Sequence, residues 1–196
     1  IHPHKTIDLI IKAFKLAKLN NDWSLKIYGI RDDDKYLNLI QKLIGSDTRI
    51  EILNPIFDKQ KQLVLNESWV NIILSKSEVL SLSILESSIH GLPSLANNSI
   101  EIKEIEDSII TSETSVSDIK KKLDLVSNWT HEERLQRGRN IYKNVERITS
   151  IDKISASYKK LYNNISDKEN IFENKLFSFN NFRFLLLTGT YLFNLM

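Results

Sequence analysis

The chain has 196 residues, a hydrophobic fraction of 41%, a charged fraction of 27% and a formal net charge of +2. So small a cationic excess excludes a nucleic-acid tracker, which needs clustered positive charge, and the absence of cysteine excludes disulfides and thiolate zinc sites. No stretch reaches the ~18 consecutive apolar residues of a membrane span, and the length suits one domain with appended pieces.

In chain order, Ile1 to Lys5 reads as a loop, and Ile7, Ile10, Ile11, Phe14 and Ala17 then recur at helical spacing, with Lys12, Lys15 and Lys18 on the other side. Ser24 to Gly29 reads as a strand ending on glycine. Asp32, Asp33 and Asp34 can cap the next helix, where carboxylates suit the positive end of the dipole, and that helix carries Tyr36, Leu39, Ile40 and Leu43. Arg49 to Leu53 is a second strand, Asn54-Pro55 a turn and Asp58 to Asn66 a third helix.

The most informative stretch runs from Trp69 to Asn98. Trp69 to Leu74 has the β-branched and apolar content of a buried strand. A polar tetrad, Ser75 to Glu78, leads into a helix with Leu82, Leu85 and Ile89 as its expected apolar face. Gly91 stops that helix, Pro93 bars its continuation, and a short strand follows. The loop of such a unit lies at the carboxyl end of a parallel sheet, where open α/β sheets bind ligands. Glu78 stands in this loop and Glu86 on the helix behind it.

Downstream, Ile109-Ile110 reads as a small edge strand and Ser117 to Val126 as a helix. Thr130 to Glu133 forms a capping box for a helix bearing Leu135, Ile141, Tyr142 and Val145, and Ser150 caps a last helix with Ile151, Ile154, Tyr158, Leu161 and Ile165. Alternating strands and helices predict a parallel sheet with right-handed crossovers and helices on both faces. The segment 167–196 is rich in Asn and Phe and ends in an apolar run suited to a packed or interfacial segment. The start on Ile1, with no signal-peptide pattern, suggests a fragment whose beginning lies upstream.

Ser75-x-x-Glu78, then Glu86 and Gly91-Leu92-Pro93, resembles the donor-site signature of the retaining GT-B glycosyltransferases (family 4, group 1), written Ser-x-x-Glu-Gly-x-x-x-x-x-x-Glu-Ala with a following Gly-x-Pro. The serine and both glutamates match; Val79 replaces the usual glycine and Ser87 the usual alanine. His2-Pro3-His4-Lys5, Ala13-Phe14, Gly138-Arg139 and Tyr158 to Tyr162 also resemble the family, with Thr6 where it has glycine. The implied fold is a Rossmann-like parallel α/β sheet, the C-terminal half of a GT-B fold with added C-terminal helices. It makes residues 1–166 a nucleotide-sugar (donor) binding domain and 167–196 a tail. The implied activity is transfer of a hexose from a nucleotide-diphosphate sugar to an acceptor hydroxyl with retention, with the donor as substrate, no cofactor and no metal.

In that reading Glu86 holds the ribose hydroxyls and Glu78 faces the donor sugar. Backbone N–H groups of Val79, Leu80, Ser81 and Leu82 hold the diphosphate, as helix N-termini do. Lys5 supplies a point charge, and Glu78 and Lys5 are the catalytic candidates. Turns around Gly29 to Arg31 and Asn54 to Phe57 lie near the base and the diphosphate. The acceptor would sit on an N-terminal GT-B domain that this chain lacks, so the chain alone would bind a nucleotide weakly and transfer nothing. The expected place is the cytoplasm, in polysaccharide biosynthesis.

Competing readings attach to the same residues. Ser83 to Glu86 is itself a capping box, which would give Glu86 only a helix end to satisfy. Val79 resists the close approach or positive φ that glycine permits, so a degenerate GT-B domain kept as a non-catalytic interaction module is the main alternative. A hydrolysing or epimerising GT-B relative is another. A receiver-like module would need an aspartate where Asn54-Pro55 stands. His2, His4, His90 and His131 lack metal spacing. Arg134, Arg137, Arg139, Lys143 and Arg147 form either a solvated face or a peripheral contact with an anionic membrane at its inner face.

Overall fold

A computed structural model describes residues 1–76, 82–97 and 109–166. The chain divides into two compact units, Ile1–Ile148 and Thr149–Met196. The first opens with a single 3-10 turn, Pro3–Lys5. Then follow α1 (Ile7–Leu16), β1 (Leu25–Tyr28), α2 (Asp34–Ile44), β2 (Ile50–Leu53), α3 (Asp58–Glu67) and β3 (Asn71–Ile73). After them come α4 (Leu82–Ile89), β4 (Ser94–Asn97), β5 (Ile109–Ser112), α5 (Val116–Ser127) and α6 (His131–Thr149). Among the described residues every strand pairing is parallel, in two hydrogen-bonded sets, β1–β2 and β3–β4–β5.

Alternation along the strands sends successive side chains to opposite faces. Leu74 and Leu95 join Ile10, Ile11 and Phe14 of α1, Ile40 of α2 and Ile119 and Leu123 of α5 in the larger core, where Leu25, Ile27 and Ile72 also pack. Ile73 and Ala96 face the other way, onto Ile84 of α4 and Val145 of α6. Helices therefore cover both faces of the strands, as the alternating pattern predicts. β4 is buried along its whole length.

The caps follow the sequence. Asp33 accepts from Tyr36 N at 2.8 Å to start α2, and Ser115 accepts from Asp118 N at 3.2 Å to start α5. Thr130 and Glu133 bond reciprocally, Thr130 N to Glu133 Oε2 at 2.7 Å and Glu133 N to Thr130 Oγ1 at 3.2 Å. Of the basic residues on α6, Arg134 lies 4.3 Å over the Trp69 ring, Arg137 4.5 Å over Trp129, and Arg139 pairs with Glu132 at 2.9 Å.

One expected face is corrected. In α4 the buried residues are Ile84, Ser87 and Ser88, while Leu82 and Ile89 are 65% and 47% exposed. Serine is small enough to bring the helix close to the strands, and each hydroxyl is satisfied in place. Ser87 Oγ donates to Ser83 O at 2.7 Å and accepts from Asn71 Nδ2 at 2.6 Å, and Ser88 Oγ donates to Ile84 O at 2.8 Å. A buried hydroxyl with partners costs little, so an apolarity count misses this face. Leu39 of α2 is likewise 45% exposed.

In the second unit the described residues form α7 (Ile151–Ser166). Ile151, Ile154, Tyr158, Leu161 and Tyr162 are exposed along it. The tail 167–196 lies outside the described residues.

Candidate functional site

The carboxyl end of β3 is where the opening turn of the chain docks. Lys76 N donates to His4 O at 2.9 Å, the Thr6 hydroxyl donates to the Leu74 carbonyl, and Lys5 Nζ donates to Ser75 Oγ at 3.1 Å. Ile1 packs beside Gly29, at the carboxyl end of β1. The turn thus bridges the ends of β1 and β3 and brings exposed Lys5 to the rim. Thr6 has φ 48°, left-handed backbone that β-branched residues avoid, and is buried. Its hydroxyl bond to Leu74 offsets that cost, of about 1–2 kcal/mol.

From the end of β4, Asn97 Nδ2 donates to Ser75 O at 2.5 Å. Asn97, Ser75 and Lys5 therefore form one chain of contacts across three segments. Asn97 is buried, and its Oδ1 has no partner among the described residues.

Glu86 projects from α4 toward α3, where its Oε2 meets Lys61 Nζ at 2.5 Å, both side chains being half-buried. The capping-box reading of Glu86 does not hold, because Ser83 lies inside α4 and the carboxylate is engaged by Lys61 instead. A cleft of about 320 Å³ opens beside the pair, lined also by Asp58, Gln62, Leu65, Ile89 and His90. Asp58, Lys61, Gln62 and Leu65 follow the i, i+3, i+4, i+7 spacing of one helical face. No residue of α3 is fully buried, and this face lines the cleft.

The sequence profile of the family described as "Glycosyl transferases group 1" matches residues 1–144. The chain belongs to the group 1 glycosyltransferase family. It is 26% identical over 131 residues to an uncharacterized glycosyltransferase of Haemophilus influenzae, the match covering 64% of this chain and 36% of that protein. Among solved structures it is similar to the catalytic domain of cholesterol-α-glucosyltransferase from Helicobacter pylori, at 20% identity and TM-score 0.61, over 76% of this chain and 93% of that one. It is also similar to HepE of Anabaena in complex with UDP and glucose, at 14% identity and TM-score 0.64, over 82% of this chain and 46% of that one. The chain thus spans about a third of the curated relative it matches.

Within this glycosyltransferase fold, Leu82 opens α4 and is exposed. Glu78, Val79, Leu80 and Ser81 lie outside the described residues. The structure adds Lys61, Ser75 and Asn97 to the residues sequence reasoning singled out around the rim. The serine stood in the Ser-x-x-Glu pattern. Asn97 carried a weaker signal, a polar residue closing a strand, and Lys61 carried none.

Proposed function

We propose that this glycosyltransferase chain is a nucleotide-sugar-binding domain that presents a hexose donor for transfer, with retention, to an acceptor hydroxyl held by a further N-terminal domain. The observation that carries the reading is the docking of Lys5 on Ser75, at the carboxyl end of β3 and ahead of the helix that bears Glu86. It supports a site in which Lys5 would neutralise the diphosphate and Glu86 would take the ribose diol.

The chemistry follows from what a nucleotide-sugar demands. Breaking the anomeric bond leaves negative charge on the diphosphate, and stabilising it is the protein's main task. Lys5 would place its ammonium there, and the amides opening α4 would add positive potential. Glu86 would accept hydrogen bonds from the ribose hydroxyls. Glu78 would face the sugar, and a phosphate oxygen of the donor would take the acceptor's proton. UDP and glucose in the HepE complex are the ligand class this reading expects. No metal or cofactor enters the proposal.

Calorimetric titration of the chain with UDP, GDP and ADP tests it. At least one should bind weakly, and Glu86→Ala should reduce that affinity about tenfold or more, the scale of a hydrogen bond to a charged group. Binding untouched by Glu86→Ala, or no binding to any of the three, would favour the degenerate interaction module. Detectable glycosyl transfer by the isolated chain would contradict the need for a second domain.

A further inference from the structure

The pairing of Glu86 with Lys61 across the α3–α4 cleft goes beyond a carboxylate reading the ribose, although it rests on that placement of Glu86. Both side chains are half-buried, and an ion pair so exposed adds little stability. A carboxylate can only accept hydrogen bonds and an ammonium can only donate them, whereas a sugar hydroxyl does both. Glu86 Oε2 and one Lys61 N–H are used in the pair, leaving Oε1 and two ammonium donors without partners among the described residues. Held in contact, the two groups offer a donor and an acceptor to each hydroxyl of a vicinal diol.

We infer that Lys61 is a donor-binding residue that, with Glu86, reads the ribose cis-diol and selects ribonucleotides over nucleotides lacking it. Lys61 donates to a hydroxyl oxygen while Glu86 accepts a hydrogen bond from that same hydroxyl. The polar face of α3, which buries nothing in the core, is consistent with a wall built for a ligand. Because a pair this accessible adds little stability, replacing Lys61 should leave the fold intact.

The test titrates wild type, Lys61→Met and Lys61→Arg with UDP, GDP and ADP and with their 2′,3′-dideoxy counterparts. Lys61→Met should weaken the best-bound ribonucleotide about tenfold, leave its dideoxy counterpart within about threefold, and be largely rescued by Lys61→Arg. Unchanged or tighter ribonucleotide binding in Lys61→Met would overturn the inference, showing Lys61 to be a counter-ion that the ligand displaces. Equal weakening of both nucleotide types would overturn it too. If wild type binds and Glu86→Ala abolishes binding while Lys61→Met changes nothing, only the role of Lys61 falls. If wild type binds none of the nucleotides, the proposed function falls with it.

Discussion

Lys5 reaches the rim because Thr6 tolerates a left-handed backbone and its hydroxyl ties the turn to Leu74. Thr6→Val keeps the strain and removes the hydroxyl bond to the buried Leu74 carbonyl, so it should destabilise the chain by about 1–3 kcal/mol in denaturant melts. Lys5→Met should leave those melts unchanged. It should weaken a nucleoside diphosphate about tenfold and the corresponding nucleoside hardly at all, because the charge proposed to face phosphate is lost. Lys5 and Glu86 were legible in the sequence, each standing in a local pattern with turn or helix signals around it. Lys61 was not, since its partner lies 25 positions away across two helices that no periodicity joins.

At the scale of elements, the turn after α4 is the most constrained join. Gly91, at φ 65°, closes the helix with Leu92 N to Ser87 O at 2.9 Å and Gly91 N to Ser88 O at 2.9 Å, the paired bonds of a Schellman end. The same turn abuts α6, so that a Cβ on Gly91 would meet Gly138 O at 2.8 Å and one on Gly138 would meet Gly91 O at 3.0 Å. Gly138→Ala should therefore cost about 1–3 kcal/mol although alanine favours helix, because backbone has to move. Thr130→Ala, which removes the α6 capping box, should cost about 1 kcal/mol; thermal melts check both. Gly91 announced itself as a helix stop, but the contact with Gly138, 47 positions on, has no local signature. The α4 face was misread for a related reason: Ser87 and Ser88 count as polar until their partners are known.

For the molecule as a whole, strand and helix alternation was enough to specify a parallel α/β layout, because parallel pairing requires crossovers and buries strands on both sides. Packing also sets an acid limit. The Arg49 side chain bonds Asp47 at 2.9–3.0 Å and holds its carboxyl at about 2, below the ordinary 3.8. A depressed folded-state pKa contributes stability above the unfolded value and loses it as pH falls from about 4 through about 2. Asp47→Asn should therefore be less stable at neutral pH and show a flatter acid limb in that window.

Donor binding as proposed requires that one rim hold a nucleoside diphosphate between Lys5 and Glu86. A crystal structure of the chain soaked with whichever of UDP, GDP or ADP binds best tests it most directly. The ribose hydroxyls should lie on the Glu86 carboxylate and a phosphate oxygen on Lys5 Nζ. A nucleotide seated elsewhere, with the Glu86–Lys61 pair and the Lys5–Ser75 bond undisturbed, would contradict it.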